Sequence, residues 1–302
     1  ALSLTTQAAT KVYRVKADGQ IARQHLHARV HDGALLSFTP DPVVPYASSA
    51  YEQYQQFELS PYASLLAVDW YSAGRASRGE RWGFNLFSSR NQIRIRDEAE
   101  KIREAMEEPV LIDAVRLVGA DAASRDLGFD LGGTQRNTAA TVLIYGTRTA
   151  GVAERLRGVA AALAARRARG GRPLIHAAAM STATATGTDG ERTPLQTLGD
   201  VFVGVAGVSR ASLVSHAPFA KEAAGRASPA SARKDDGAEA DITVARLVGE
   251  HTEDLLRLLH HCLAPMACEV SLPIGSIDLL HIRVHSNSHE KARKGGQGER
   301  VG

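Results

Sequence analysis

The sequence predicts a mainly β fold, many-stranded and layered in the manner of a β-helix or sandwich, with two α-helices. Three observations carry this expectation. Short apolar/polar alternations recur through the first hundred residues, with the two-residue period of half-buried strands. Turn-forming residues separate them at Asp18-Gly19, Asp32-Gly33, Pro40-Asp41-Pro42, Pro45, Gly74 and Gly79. Finally, strands do not trade regularly with helices of roughly ten to fifteen residues, which argues against a parallel βαβ sheet.

The elements follow in order. Residues 11–15 are β-prone, and Leu26, Ala28 and Val30 alternate with His27, Arg29 and His31. Strands are expected at 34–38, 51–59, 63–71 and 80–87, and Ile93 and Ile95 alternate with Arg94 and Arg96. In 80–87 the alternation puts Glu80, Trp82, Phe84 and Leu86 on one face, and the polar stretch before it reads as a hairpin connection from 63–71. Further strands are expected at 110–118, 139–145, 173–180, 200–208 and 242–248. Val152, Leu156, Val159 and Leu163 have helical spacing in an Ala- and Arg-rich run that stops at Gly170-Gly171. A second helix is expected to open with Thr252 as N-cap, with Glu253 and Asp254 in its first turn. Leu255, Leu256, Leu258, Leu259 and Leu263 would form its apolar face and Pro265 its end. Leu280, Ile282 and Val284 alternate with His281, Arg283 and His285, which favours a strand. Residues 182–194 are Thr- and Gly-rich. Residues 220–240 are polar and aperiodic and read as a mobile insert, and 289–302 as a disordered basic tail. Residues 1–288 are expected to form one β-rich domain.

Composition narrows the function classes. The 302 residues are 44% hydrophobic and 23% charged, enough apolar material for a substantial core. No run approaches the roughly 20 apolar residues of a membrane helix, and no charged-then-apolar segment opens the sequence. With only 2 cysteines there is no disulfide framework, so a reducing, cytoplasmic setting is expected. The net charge of +3 is small, and its densest basic runs fall at a helix end (Arg166, Arg167, Arg169, Arg172) and in the tail (Lys291, Arg293, Lys294). Solvated charge accounts for both, so neither nucleic acid nor membrane is an expected partner.

Candidate chemistry is sparse. His260-His261-Cys262 lies on the last turn of the second helix, with Cys268 beyond. Adjacent helix positions diverge by about 100°, and the cysteine spacing is wider than that of structural zinc sites. His281, His285 and His289 recur every fourth residue, but on a strand such neighbours stand about 13 Å apart, too far to share an ion. Asp41, Asp69, Glu80, Asp113 and Asp200 are the carboxylates suited to a proton or a metal. A β-rich hydrolase using a pair such as Asp69 and Glu80 is the enzymatic alternative, and requires the two carboxyls about 5–9 Å apart across a cleft. No nucleophile elbow, phosphate loop, dinucleotide fingerprint or H-E-x-x-H stretch occurs.

One ordered series is more specific. Thr6-Gln7-Ala8-Ala9-Thr10-Lys11-Val12-Tyr13 is followed by Gly33-Ala34-Leu35-Leu36, then Pro40-Asp41-Pro42 with Pro45, and Tyr51-x-Gln53. Gly74-Arg75-Ala76-Ser77-Arg78-Gly79-Glu80, Trp82 and Phe84 complete it. In order and spacing this resembles the UreD (UreH) family of urease accessory proteins over about the first hundred residues. The resemblance implies a non-enzymatic, layered β scaffold with two helices. It implies a UreF-like helical accessory protein, a UreG-like GTPase and apo-urease as partners, and incorporation of nickel into the urease active site as the role. No tightly bound cofactor is implied, only Ni²⁺ in transit through the scaffold, with Asp69 and Glu80 as possible lining. Gln7, Lys11, Asp41, Pro42, Gln53, Gly74, Arg75, Gly79 and Glu80 are the motif positions, with Gly74 and Gly79 as turn formers and Arg75–Glu80 as a possible ion pair. The insert, the tail and the lack of a closing Pro-Arg-Ile-Trp-like ending depart from bacterial members and imply a eukaryotic, fungal-like one. A strand preceding Thr6 in family members implies an incomplete amino terminus.

Overall fold

The computed structural model describes residues 1–15, 20–75, 78–96, 109–119, 136–168, 201–208, 242–266 and 280–287. The first half contributes strands β1 (Leu2–Leu4), β2 (Thr10–Val12), β3 (Ala22–Val30), β4 (Leu35–Phe38), β5 (Val43–Pro45), β6 (Ala50–Leu59), β7 (Ser64–Ser72), β8 (Leu86–Ile95) and β9 (Leu111–Val118). Strand β10 (Thr138–Tyr145) leads through a 3₁₀ turn (Thr147–Thr149) into helix α1 (Ala150–Ala168). Then come β11 (Val201–Val208), β12 (Ile242–Gly249), helix α2 (Thr252–Leu263) and β13 (Leu280–Asn287). The predicted mainly β architecture with two helices holds.

The strands form two mixed sheets. The first runs β1-β4-β7-β10-β12-β11, with β5 joined to β7 and β2 joined to β5; the second runs β13-β3-β6-β8-β9. From β3 to β8 the chain passes repeatedly between them. Strands β3, β6 and β8 stack in parallel in the second sheet, while β4 and β7 stack in parallel in the first. This coiling is the β-helical element of the fold. Antiparallel partners complete both sheets: β9 beside β8, β13 beside β3, and β10, β12 and β11 outward from β7.

Strand β7 is buried along its entire length, because it is covered on both faces. Its Leu66, Val68 and Trp70 join Ala140, Val142 and Ile144 of β10 beneath Val152, Leu156, Val159 and Leu163 of α1 and Leu255, Leu258 and Leu259 of α2. Its other face looks toward the second sheet, where Leu65 and Ala67 pack with Leu26, Ala28, Val30, Phe57, Leu59 and Ile93. A third cluster around Tyr51, Tyr71, Trp82, Phe84 and Phe87 lies toward the opposite end of β7. Continuous apolar runs in β7 and β10 are what a doubly covered strand requires.

Three expectations need correction. Residues 63–71 and 80–87 are not a hairpin: β7 belongs to the first sheet, and β8 begins only at Leu86, in the second. The residues between turn sharply, with Trp82 at φ 52°. The Trp82 and Phe84 spacing therefore reports side chains plugged into a core corner, not a strand face, while Leu86 opens β8. In α2 the N-cap is His251, without a side-chain cap hydrogen bond, and Thr252 is the first helical residue. Leu256, predicted on its apolar face, is 38% exposed. The expected strand at 173–180, the stretch 182–194, the insert at 220–240 and the tail at 289–302 lie outside the described residues, as do Asp200, Cys268 and His289.

Candidate functional site: a polar belt between the sheets

The second sheet stacks like on like until its interior ladder changes character. Ala28, Phe57 and Ile93 are in register across β3, β6 and β8, all buried and apolar. Two residues earlier the same rung reads Leu26, Gln55 and Asn91, and two before that Gln24, Gln53 and Ser89. Strand parity sends these polar side chains inward, where Gln53, Gln55, Ser89 and Asn91 are buried. From the first sheet, the same two-residue period that points Ala67 inward also points Asp69 inward.

Asp69 is the centre of this belt. Gln53 Nε2 donates to its Oδ1 at 2.9 Å, while Ser89 Oγ and Asn91 Nδ2 donate to its Oδ2 at 2.5 and 2.8 Å. Burial pushes its carboxyl above the usual carboxylate range; the three hydrogen bonds pull the other way and the nearby Asp113 charge adds to the rise. Asp113, on β9 opposite Asn91, is buried too, and accepts a hydrogen bond from Arg246 of β12, whose side chain is 56% exposed. The Arg246–Asp113 pair thus links the belt to the protein surface. The Tyr51 hydroxyl lies 2.9 Å from Gln24 Oε1 and 3.0 Å from Gln53 Oε1, and burial followed by the Asp69 charge raises the pKa of both Tyr51 and Tyr71. Asn91 Oδ1 is buried without a hydrogen-bond partner among the described residues. The Asp69 carboxylate is therefore enclosed by N–H and O–H donors from Gln53, Ser89 and Asn91, with the Asn91 amide oxygen buried beside them.

Glu80 is not part of the belt. Its Oε1 accepts from the Ala47 amide at 2.6 Å and its Oε2 lies 3.7 Å from Arg75 Nη1, so it fastens the Gly74–Glu80 loop. Arg75 and Glu80 also form an isolated β-bridge, and the Arg75 guanidinium sits 4.4 Å from the Tyr46 ring centroid. The expected ion pair is present. Asp69 and Glu80 share no hydrogen-bond partner among those described. Of the remaining motif residues, Gln53 reaches Asp69. Asp41 accepts from the Thr6 hydroxyl at 3.0 Å, and the Pro42 carbonyl accepts from the Thr10 amide at 3.0 Å, tying the first strands together. Gln7 and Lys11 are exposed.

Among the described residues no group of three or more His, Cys, Asp or Glu side chains is placed to hold a metal. Cys262 is buried, and burial pushes its thiol up to about 12; burial and the Arg155 charge lower the pKa of His261. That histidine–cysteine run packs α2 and offers no ligand set. Gln55, Ser89, Asn91 and Arg246 escaped the sequence reading. For Gln55 the signal was a Gln in place of an apolar residue at the buried parity of 51–59, legible only once that parity was known.

Comparison with known proteins adds an independent line. Residues 1–273 match the family described as UreD urease accessory protein. Urease accessory protein D of Oryza sativa subsp. indica is 38% identical over 117 residues, covering 39% of this chain and 35% of its own length. Urease accessory protein UreD of Sorangium cellulosum (strain So ce56) is 41% identical over 153 residues, 51% of this chain and 43% of its own. That of Anaeromyxobacter sp. (strain Fw109-5) is 40% identical over 156 residues, 51% and 46% respectively. The chain thus spans less than half the length of these curated relatives. With a plant and two bacteria among them, eukaryotic origin is not established.

Proposed function

This chain belongs to the UreD urease accessory protein family, and on that premise we propose that it is a non-enzymatic scaffold for the maturation of urease by nickel incorporation. A UreF-like helical protein, a UreG-like GTPase and apo-urease are its partners in this reading, and the cytoplasm is its setting. Ni²⁺ is cargo, passing through without a resident site. The observation that carries the chemistry is the buried belt around Asp69. A cation can be handed along weak oxygen ligands of this kind, since it leaves them as readily as it enters.

The two carboxylates singled out from the sequence take different parts. Asp69 is the interior ligand along the cargo's path, while Glu80 holds a loop in shape. Asp69 has a raised pKa and three donors directed at it, so it meets an incoming dication by giving up a proton or exchanging those donors. A hydrolase would need the second carboxyl facing the first across a substrate cleft. Glu80 instead spends its oxygens on the Ala47 amide and Arg75.

The test is co-expression of the cognate urease and its other accessory proteins with and without this chain, measuring nickel per urease active site. Nickel content is expected to fall toward the apo level when the chain is omitted. Full loading in its absence would overturn the proposal.

A further inference from the structure

Residues 11–15, 45–48, 74–75 and 78–83 are tied together at the surface, apart from the interior belt. Their inner anchors, Val12 and Trp82, are buried in the cluster around Tyr71 and Phe87. The Tyr46 amide donates to the Val12 carbonyl at 3.0 Å, the Val15 amide to that of Ser48 at 3.1 Å and the Ser48 amide to that of Gly83 at 2.8 Å. The Glu80 carboxylate closes the group on the Ala47 amide and Arg75. Ser48 at φ 57° and Trp82 at φ 52° hold left-handed backbone, which persists in such residues only where the surroundings fix it. The surface above these anchors is therefore shaped before anything binds to it.

That surface combines an exposed aromatic ring with concentrated positive charge. Tyr13 is 66% exposed, and its ring stands edge-on to that of Tyr46 at 5.4 Å, with Arg75 stacked on Tyr46 in turn. Around them Lys11, Arg14, Arg75, Arg78 and Arg81 are all exposed. Glu80 is the only carboxylate in these described segments, and the Ala47 amide and Arg75 already occupy it. Five cations against one carboxylate exceed the whole chain's net charge of +3, so the chain's basic character is local to this place. Exposed tyrosine among arginines is the composition that carries binding energy in protein interfaces, and a cationic patch selects an acidic partner. A nucleic-acid footprint runs as a longer basic stripe or groove, whereas these cations surround one ring.

We propose that this cluster is a docking surface for an acidic segment of a protein partner. An aromatic side chain of that segment seats against Tyr13, and its carboxylates face Lys11, Arg14, Arg78 and Arg81. Because the Glu80 and backbone ties already hold the cluster in shape, little of it has to be ordered on binding. The inference rests on this surface alone and is independent of cation passage through the belt.

The test follows the fluorescence anisotropy of a labelled peptide of glutamates around a central tryptophan, titrated with the full chain. Tyr13→Ala and Arg81→Ala are each expected to weaken binding about fivefold or more, the loss that marks an interface hot spot. Tyr13→Phe keeps the ring and is expected to bind as the parent does. Alanine in place of the peptide's tryptophan is expected to weaken binding to the parent but not to Tyr13→Ala, since the two rings meet each other. Arg116→Ala, on β9 with its side chain 63% exposed, is the control and is expected to leave the affinity unchanged. The proposal is overturned by absence of binding, by equal affinity of the parent, Tyr13→Ala and Arg81→Ala, or by an equal loss in Arg116→Ala. Tighter binding of a single-stranded oligonucleotide at the same ionic strength overturns it as well.

Discussion

Gly74 and Gly79 bracket one loop, yet different constraints act on them. Gly79 has φ +77°, with open space where a Cβ would be. Its substitution by Ala costs only the left-handed backbone term of about 1–2 kcal/mol. Gly74 has no such conformation, but a Cβ there would come within 2.5 Å of Tyr46 Cδ1 and 3.0 Å of the Pro45 carbonyl. Gly74→Ala must therefore push aside the ring on which Arg75 is stacked, an overpacking cost of typically 1–3 kcal/mol. Denaturant unfolding should show Gly74→Ala at least as destabilising as Gly79→Ala, and the reverse order would contradict this assignment. Glu58 shows the same local logic in charge. Burial pushes its pKa up, but the Arg29 hydrogen bond and the charges of Arg96, His27 and Arg29 outweigh that and hold it below its ordinary value. A carboxylate depressed in the folded state contributes stability above its unfolded pKa, about 4.3, and loses it as pH falls through the folded value. Glu58→Gln is expected to flatten the acid limb of a melting-temperature profile below about pH 4.3. An unchanged acid limb would show that the cluster contributes nothing.

Helix α2 sets the elements' terms: one face packs on the first sheet and the other meets water. Leu258 is fully buried and Leu256 is 38% exposed, so Leu258→Ala should cost about 2–5 kcal/mol and Leu256→Ala within about 0.5 kcal/mol. Equal losses in chemical denaturation would mean that the helix is docked differently. Helical period alone made both leucines look apolar-facing, because a broad run of leucines blurs the edge of the stripe. Strand existence was more legible. The stretches at 26–30, 51–59 and 280–284 mark strands β3, β6 and β13, and the strand expected at 63–71 is the doubly covered β7. The stretch from Glu80 to Asn85 misled because its spaced aromatics fill a corner of the core while the backbone turns at Trp82. Pairing partners were not legible, since nothing local tells β7 and β8 to enter different sheets. The belt was hidden for the same reason. Asp69 stood out as a carboxylate, but Ser89 and Asn91 become its partners only because β7 of the first sheet faces β8 of the second.

At the scale of the whole molecule, coiling between two sheets buries a wide interior and stacks like residues above one another. Apolar rungs form tight clusters at either end of β7, and the rungs between them are polar. Such a layer is costly to bury unless its groups find partners, and Asp69 meets that requirement with three donors. In the proposed reading, this polar layer is what the cargo meets inside the core. The most direct measurement is nickel per urease active site in cells expressing Asp69→Asn in place of the parent chain, with assembly of the accessory complex checked in parallel by co-purification. Removing the ionisable oxygen without changing shape should leave assembly intact and lower the nickel content of urease. Full nickel loading by a normally assembled Asp69→Asn complex would contradict the account.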